Sequence, residues 1–150
     1  MKIASIAIIL AFTSLSVAKD TPKPLALTPA PHPGKEKLHQ SFNEISKQGE
    51  APIVFLGDSI TQGWSGRGKA AWAEYWATMG AANFGIGGDR TEHILWRLEN
   101  GNYDGLKPKL TVLMIGTNNT GHEGRAMKEH GGAIYKSSAE ETAAGVKAIV

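Results

Sequence analysis

Three short glycine-containing motifs occur along the chain at nearly equal intervals. They are residues 57–61 (GDSIT), 83–89 (NFGIGGD) and 116–119 (GTNN). Ser59 and Gly88 are 29 positions apart, and Gly88 and Asn118 are 30 apart. Each motif ends a short apolar run, and about 30 residues is the length of one strand–helix–strand unit. The spacing therefore predicts parallel strands joined by crossover helices, with all three motifs at one edge of the sheet.

The segments between the motifs support an α/β fold. Residues 52–56 form a continuous apolar run, typical of a strand covered on both faces, and strands are also predicted at residues 81–86 and 109–115, the last of which is apolar at its centre. Helical patterns occupy residues 35–47, 69–79, 91–99 and 139–150. Within 69–79, the spacing of Trp72, Trp76 and Met79 predicts one helical face packed on the core. Residues 122–138 are polar and glycine-rich, which is typical of a surface loop or insertion.

At the predicted sheet edge, three groups suited to acyl transfer would meet. The Ser59 hydroxyl is a nucleophile, while the Gly88 N–H and the Asn118 carboxamide are donors for a developing oxyanion. Each residue alone has an ordinary explanation: an N-cap serine, a turn glycine and an Asx-turn asparagine. Their joint placement at matching strand ends favours hydrolysis of carboxylic esters through an acyl-enzyme on Ser59.

These motifs resemble the first three conserved blocks of the SGNH (GDSL-type) hydrolase superfamily. With residues 93–98 (HILWRL), they are most similar to the branch of the platelet-activating-factor acetylhydrolase catalytic subunits. The resemblance implies a flavodoxin-like α/β/α three-layer sandwich and an esterase that needs no cofactor and no metal. It also implies that Ser59 is the nucleophile, and that its own N–H, the Gly88 N–H and the Asn118 amide form the oxyanion hole.

One block of that family is missing from the sequence. An Asp-x-x-His motif supplies the acid and base of the family's catalytic triad, and none is present here. We expect this motif beyond Val150, and we expect the chain to be the first part of a longer domain with a fourth strand beside residues 109–115. His122, four positions after Asn118, is an alternative base, although a solvated loop histidine is the ordinary explanation.

The N-terminus predicts export. Lys2, an apolar run at residues 3–15 and the small residues Ser16 and Ala18 are typical of a signal peptide over 1–18. A buried N-terminal helix is the alternative, and the run is too short to span a membrane. Residues 21–34 contain five prolines in 14 residues, so we expect a linker over 19–34, followed by the hydrolase domain over 35–150. The expected location is secreted or periplasmic.

Composition removes several classes of function. The chain has no cysteine, which excludes disulfides and thiolate metal sites. Its formal charge is +2, but from Leu38 onward there are 11 basic and 12 acidic side chains and no basic stripe, so no nucleic-acid partner is expected. Arg90 stands where a dinucleotide-binding GxGxxG motif would need glycine, which weakens a nucleotide-binding alternative.

Two hypotheses about function remain. The first is a secreted serine esterase acting on small-molecule or glycan esters, with short-acyl or O-acetyl esters as the expected substrates and Trp64 as a candidate pocket residue. The second is a catalytically inactive module of the same fold that binds carbohydrate or lipid. No oligomeric state is predicted.

Overall fold

The computed structural model describes residues 22–150, so the predicted signal peptide lies outside the described residues. Within that range the helices are α1 (Glu36–Gln48), α2 (Ser59–Gln62), α3 (Lys69–Ala71), α4 (Thr91–Glu99), α5 (Thr117–Gly121) and α6 (Ala139–Ile149). The strands are β1 (Ile53–Gly57), β2 (Ala81–Gly85), β3 (Leu110–Met114), β4 (Ala126–Met127) and β5 (Ala133–Ile134).

The main sheet is parallel and has the strand order β2-β1-β3. Its register aligns Gly57 at the end of β1 with Gly85 on one side and Met114 on the other. All three strands therefore end at the same level, and the three glycine motifs follow at one edge, as the sequence predicts.

One face of the sheet packs on α1 and α4. The β1 side chains Val54 and Leu56 are 0% and 2% exposed, and they share a core cluster with Phe42 of α1, Phe84 of β2 and Ile94 of α4. The Phe42 and Phe84 rings stack with centroids 4.8 Å apart. This apolar layer fixes the sheet against the helices on that side.

The other face of the sheet is covered by residues 59–79, which completes three layers. Phe55 of β1 points to this side and meets Trp72 and Trp76 edge-on, at centroid distances of 5.1 Å and 4.9 Å. The predicted α/β/α sandwich is confirmed. The two-stranded β4-β5 hairpin is an addition that the sequence did not predict.

The predicted helix over 69–79 forms in three different geometries. A single turn, α3, is followed by a π-helical turn (Trp72–Trp76) and a 3-10 turn (Ala77–Met79). The predicted core packing of the tryptophans is confirmed, but Met79 is 48% exposed and its expected burial is wrong. The wider π turn changes the angular spacing of side chains, so a 3.6-residue period does not carry through to Met79.

The proline-rich segment is packed on the domain over the part that the structure describes, whereas the sequence predicted an extended tether. Ala26 and Ala30 are 0% and 3% exposed. The Thr91 hydroxyl donates to the Ala26 carbonyl at 2.8 Å, and the Ala30 N–H donates to the Glu92 carbonyl at 3.4 Å. Small alanines let this backbone approach α4 closely, which a count of prolines does not reveal.

Residues 122–138 are more ordered than a polar surface loop. The short strands β4 and β5 pair antiparallel, and Met127 and Tyr135 of this segment are 8% and 0% exposed. The expectation of a surface loop is therefore wrong for these two side chains. The Tyr135 hydroxyl donates to Glu92 of α4 at 3.1 Å, and the Met127 sulfur accepts from the Arg90 guanidinium, just before α4, at 3.2 Å.

Among the described residues, β3 forms one edge of the main sheet, and its Leu110 and Met114 are 49% and 51% exposed. A cavity of about 340 Å³ lies nearby, lined by Leu56, Leu113 and Ile149 among others. The fourth strand expected beside β3 stays a prediction. None of the helices described combines the length and the apolar character needed to cross a bilayer.

Gly145 of α6 tests how closely α6 packs. A Cβ at this position would lie 2.6 Å from the Thr91 hydroxyl and 2.8 Å from the Ala26 carbonyl oxygen. We expect Gly145→Ala to lower the free energy of unfolding by about 1–3 kcal/mol in urea titrations, because the clash exceeds the gain in helix propensity. Gly121→Ala is the control, since nothing lies within 4 Å of that Cβ. Equal stabilities for the two variants would contradict this packing.

Candidate active site

Ser59 is the first residue of α2. One residue, the helix N-cap Asp58, separates it from the end of β1. Asp58 is 1% exposed, and its carboxylate accepts a hydrogen bond from the Ile60 N–H at 2.9 Å, which shapes the turn into α2. The Ser59 side chain is exposed. Its hydroxyl is therefore open to a substrate while its backbone is held.

Glycine at the strand ends lets α2 lie close to the sheet. A Cβ at Gly57 would fall 2.3 Å from the Met114 carbonyl oxygen, and one at Gly85 would fall 2.2 Å from the Gln62 backbone nitrogen. No side chain fits at either position. Glycine at both sites lets the end of α2 lie against the end of β2.

The loop after β2 carries Gly88 beside Ser59. A Cβ at the preceding Gly87 would lie 3.6 Å from the Ser59 Cβ, and the Gly87 N–H donates to the Gln62 side-chain oxygen at 2.8 Å. Gly88 has a φ of +89°, which favours glycine. Within residues 22–150 its N–H donates to no protein acceptor, so it is available to a ligand.

Asn118 connects the three motifs. It is the second residue of α5, and its carboxamide nitrogen donates to the Asp89 carbonyl at 2.8 Å and approaches the Asp58 carboxylate at 3.4 Å. Asp89 follows Gly88, and Asp58 precedes Ser59. Because 3.4 Å is long for an N–H···O bond, the second N–H of Asn118 is only weakly engaged. The structure thus brings together the three predicted loops, while the catalytic roles of Ser59, Gly88 and Asn118 stay predictions.

An open cavity of about 430 Å³ adjoins Ser59, and Trp64, Arg67 and Met114 line it. Trp64 also contacts Phe55 and Trp72, with ring centroids 6.3 Å and 6.1 Å away. Trp64 therefore lines the cavity and also packs against Phe55 and Trp72.

Sequence reasoning missed a buried ionic cluster around Arg90, the second residue after Gly88. Arg90 is 2% exposed; it pairs with Glu92 at 2.5 Å and also with Glu129, and its guanidinium carbon lies 4.4 Å from the centre of the Tyr135 ring. Burial opposes the charge, but the two carboxylates outweigh it and raise the Arg90 pKa. The cluster ties the β4-β5 segment to α4. Apart from an arginine after the glycine motif, the sequence carries no signal for it.

His122 does not fit the role of a substitute base. Its Nδ1 lies 2.8 Å from the Arg90 guanidinium, which can only donate, so Nδ1 accepts and the neutral ring carries its proton on Nε2. Burial and the Arg90 charge both lower the His122 pKa. The ring therefore has no free acceptor for the Ser59 proton, and this alternative is wrong.

Asn119 fixes the loop after β3 against α4. Its side-chain oxygen accepts from the Thr91 N–H at 3.1 Å, and its nitrogen donates to the Tyr135 hydroxyl at 2.8 Å. That hydroxyl donates to Glu92 at 3.1 Å. Burial and the nearby Glu92 carboxylate raise the Tyr135 pKa, so the phenol stays protonated. The neighbouring Asn118 is held in register by this buried chain.

One group of described side chains has the spacing of a metal site: His32, Asp89 and His93, whose donor atoms lie within 4.8 Å of one another. The His93 Nδ1 already accepts from the Arg90 N–H at 3.1 Å. The Asp89 carboxylate is paired with Arg97 at 2.8 Å. Because these donor atoms already have partners and the positive charges of Arg90 and Arg97 are close, the group is better described as a network of hydrogen bonds and ion pairs than as a cation site.

The family assignment follows from sequence comparison. The sequence model of the GDSL-like Lipase/Acylhydrolase family matches residues 55–149, which include all of the strand-end loops described above. The chain belongs to this family. The resemblance identified from the three motifs is thereby confirmed, and Ser59 lies within the matched region.

Among the proteins similar to this chain are platelet-activating factor acetylhydrolase IB subunits. The chain is 42% identical over 113 residues to the platelet-activating factor acetylhydrolase IB subunit alpha1 of Bos taurus, covering 75% of this chain and 41% of that protein. The chain is also 42% identical over 113 residues to the Homo sapiens alpha1 subunit, and this match covers 75% of this chain and 42% of that protein. To the Rattus norvegicus alpha2 subunit it is 38% identical over 112 residues, and this match covers 75% of this chain and 42% of that protein. The chain spans about two fifths of the length of these relatives.

Replacement of Arg90 tests the ionic cluster. In Arg90→Met, Glu92 and Glu129 lose their buried cation, so we expect the free energy of unfolding to fall by about 3–5 kcal/mol in urea titrations. Lys47→Met is the control, because its 2.7 Å pair with Glu44 has both side chains about two-thirds exposed. We expect that control to change stability by less than about 1 kcal/mol. An equally small effect at Arg90 would contradict the buried cluster.

His93 predicts a pH dependence of stability. Burial, reinforced by the Arg90 charge, lowers its pKa strongly, so the folded protein keeps it neutral while the unfolded chain takes up a proton near pH 6.5. The unfolded state then binds more protons, and stability falls as pH drops below about 6.5, by up to about 1.4 kcal/mol per pH unit from this residue. His93→Gln should show a shallower slope in unfolding titrations between pH 7 and 5. An unchanged slope would count against a neutral His93.

Proposed function

We propose that this chain carries the nucleophile and oxyanion hole of a serine esterase of the GDSL-like family. One observation carries the proposal: the Asn118 carboxamide lies 2.8 Å from the Asp89 carbonyl and 3.4 Å from the Asp58 carboxylate. These contacts set a donor beside both the residue that precedes Ser59 and the residue that follows Gly88. These contacts support a common location for the nucleophile and the two donors, which come from distant parts of the chain.

The proposed reaction begins at the Ser59 hydroxyl. Its oxygen attacks the ester carbonyl carbon, and the developing oxyanion accepts hydrogen bonds from the Ser59 and Gly88 N–H groups and from the weakly engaged N–H of Asn118. Collapse of this intermediate releases the alcohol and leaves an acyl-enzyme, which water then hydrolyses. The base that takes the Ser59 proton is proposed to be the histidine of the family's Asp-x-x-His motif, which this sequence does not contain.

Short acyl or O-acetyl esters are the proposed substrates. The cavity beside Ser59 has an apolar wall that includes Trp64 and Met114, which suits a small acyl group. The relatives are named as acetylhydrolase subunits, which supports an acetyl ester. We further propose that the ester is a small molecule or a glycan.

A non-catalytic binding module of the same fold is the second candidate. A serine hydroxyl without a base is a weak nucleophile at neutral pH, so a protein of this fold that lacks the base would bind an ester without hydrolysing it. Such a module would bind a carbohydrate or lipid ester, keep that binding in Ser59→Ala, and show no turnover.

Export from the cytoplasm is also part of the proposal. It rests on the charged start, apolar run and small residues of 1–18. We expect protein recovered from the extracytoplasmic fraction to begin at Lys19 when its N-terminus is sequenced. Protein that keeps Met1 and remains in the cytoplasm would contradict export without affecting the assignment of Ser59.

Covalent labelling tests the esterase proposal. We expect a fluorophosphonate probe to label Ser59 of the intact protein, with the modified peptide identified by mass spectrometry, and Ser59→Ala to abolish labelling and ester hydrolysis. Ser41→Ala is the matched control, because Ser41 is an exposed serine on α1. Folded, intact protein that binds an ester but is neither labelled nor active would support the binding module instead.

A further inference from the structure

Asp89 is the residue most tightly enclosed beside the proposed oxyanion hole, and it is 0% exposed. Its N–H donates to the Ile86 carbonyl at 3.1 Å, and its own carbonyl accepts from Asn118 at 2.8 Å. Its carboxylate pairs with Arg97 of α4 at 2.8 Å and accepts from His32 at 2.8 Å. The backbone N–H, the carbonyl and one carboxylate oxygen of Asp89 are thus hydrogen-bonded to three different parts of the fold, and the other carboxylate oxygen is held by its charge pair with Arg97.

Arg97 anchors one side of this arrangement to the sheet. It is 1% exposed, and its guanidinium also donates to the Phe84 carbonyl of β2 and to the Asn102 side chain, both at 3.0 Å. Burial lowers the Arg97 pKa, and the Asp89 charge opposes that effect. Asp89 is therefore paired with a cation that is itself fixed to the strand leading into Gly88.

His32 holds the other side, and it comes from the proline-rich segment that the sequence assigned to a linker. Its ring stacks on His93 with centroids 4.4 Å apart and an interplanar angle of 20°. A Cβ at Gly88 would lie 3.0 Å from the His32 Cε1 and 3.4 Å from its Nε2. The imidazole thus lies against Gly88 itself, and Pro31 and Pro33 restrict the backbone on either side of it.

We propose that His32 is a positioning residue for the oxyanion hole: its Nδ1–H bond to Asp89, with its ring against Gly88, fixes the direction of the Gly88 N–H. This inference rests on the esterase function proposed above and adds the N-terminal segment to the catalytic apparatus. His32 acts through Asp89 and Gly88 and does not touch the reacting atoms. The Asp89 carboxylate can only accept, so Nδ1 is the donor.

The expected kinetic effect depends on the stage of the reaction at which the Gly88 N–H donates its hydrogen bond. A donor aimed at the oxyanion acts mainly in the transition state, so misdirecting it lowers kcat more than it raises KM. Loss of one oxyanion donor costs about 100- to 1,000-fold in kcat, and partial misalignment costs less. Loosening of Asp89 by a lost His32 bond should therefore appear as a selective loss of kcat.

Two variants separate the hydrogen bond from the packing. His32→Phe keeps a ring that can stack on His93 but has no donor for Asp89. His32→Asn loses the ring and keeps a side-chain N–H at nearly the depth of Nδ1. With p-nitrophenyl acetate and the intact protein, we expect His32→Phe to lower kcat at least about tenfold with KM within about twofold, and His32→Asn to stay within about threefold of wild type.

His39→Ala is the matched control. His39 is 8% exposed on α1 and faces the Asn102 side chain at 3.1 Å rather than Asp89. We expect it to lower stability and leave kcat unchanged. Amide hydrogen exchange at residues 87–89 should be faster in His32→Phe than in wild type, His32→Asn or His39→Ala.

The outcomes distinguish this inference from the function on which it rests. Wild-type protein without turnover or Ser59 labelling overturns both. Active wild type with an unchanged kcat in His32→Phe, or equal losses in His32→Phe and His32→Asn, overturns the positioning role alone. If His32→Phe does not fold, His32→Ala replaces it against His32→Asn, with the same results expected.

Discussion

A buried ion pair between Asp89 and Arg97 determines the geometry of the candidate site. The two groups are almost without exposure, and either charge left alone at this depth would be strongly unfavourable. The pair is tolerated because both charges have further partners: the Phe84 carbonyl for the Arg97 guanidinium, and His32 for the Asp89 carboxylate. Since Asp89 directly follows Gly88, constraints on the pair become constraints on the loop that faces Ser59.

The same principle organises the second polar cluster, around Arg90. The Arg90 guanidinium pairs with Glu92 of α4 and Glu129 of the β4-β5 segment, and it donates to His122 of the loop after β3. The apolar core joins the sheet to its helices, whereas these polar contacts join the loops at the sheet edge to one another. Buried polar contacts need specific partners and directions, so they fix loop positions more narrowly than apolar packing does.

Much of the fold was predictable because its signals are local. A continuous apolar run marks β1 and mainly apolar segments mark β2 and β3, and the near-equal spacing of Ser59, Gly88 and Asn118 predicts their common edge. Contacts between distant residues were not predictable: His32 and Asp89 are 57 positions apart, and Arg90 and Glu129 are 39 apart. The exposure of Met79 was missed for a different reason, since a π-helical turn breaks the period on which the prediction relied.

The central claim is that Ser59, Gly88 and Asn118 act on one oxygen atom. A crystal structure of the intact protein with Ser59 phosphonylated tests this most directly, because the phosphoryl oxygen imitates the oxyanion. The account predicts that oxygen within about 3 Å of both the Gly88 backbone nitrogen and the Asn118 carboxamide nitrogen. A phosphoryl oxygen that points to solvent, without a contact to the Gly88 or Asn118 nitrogen, would contradict it.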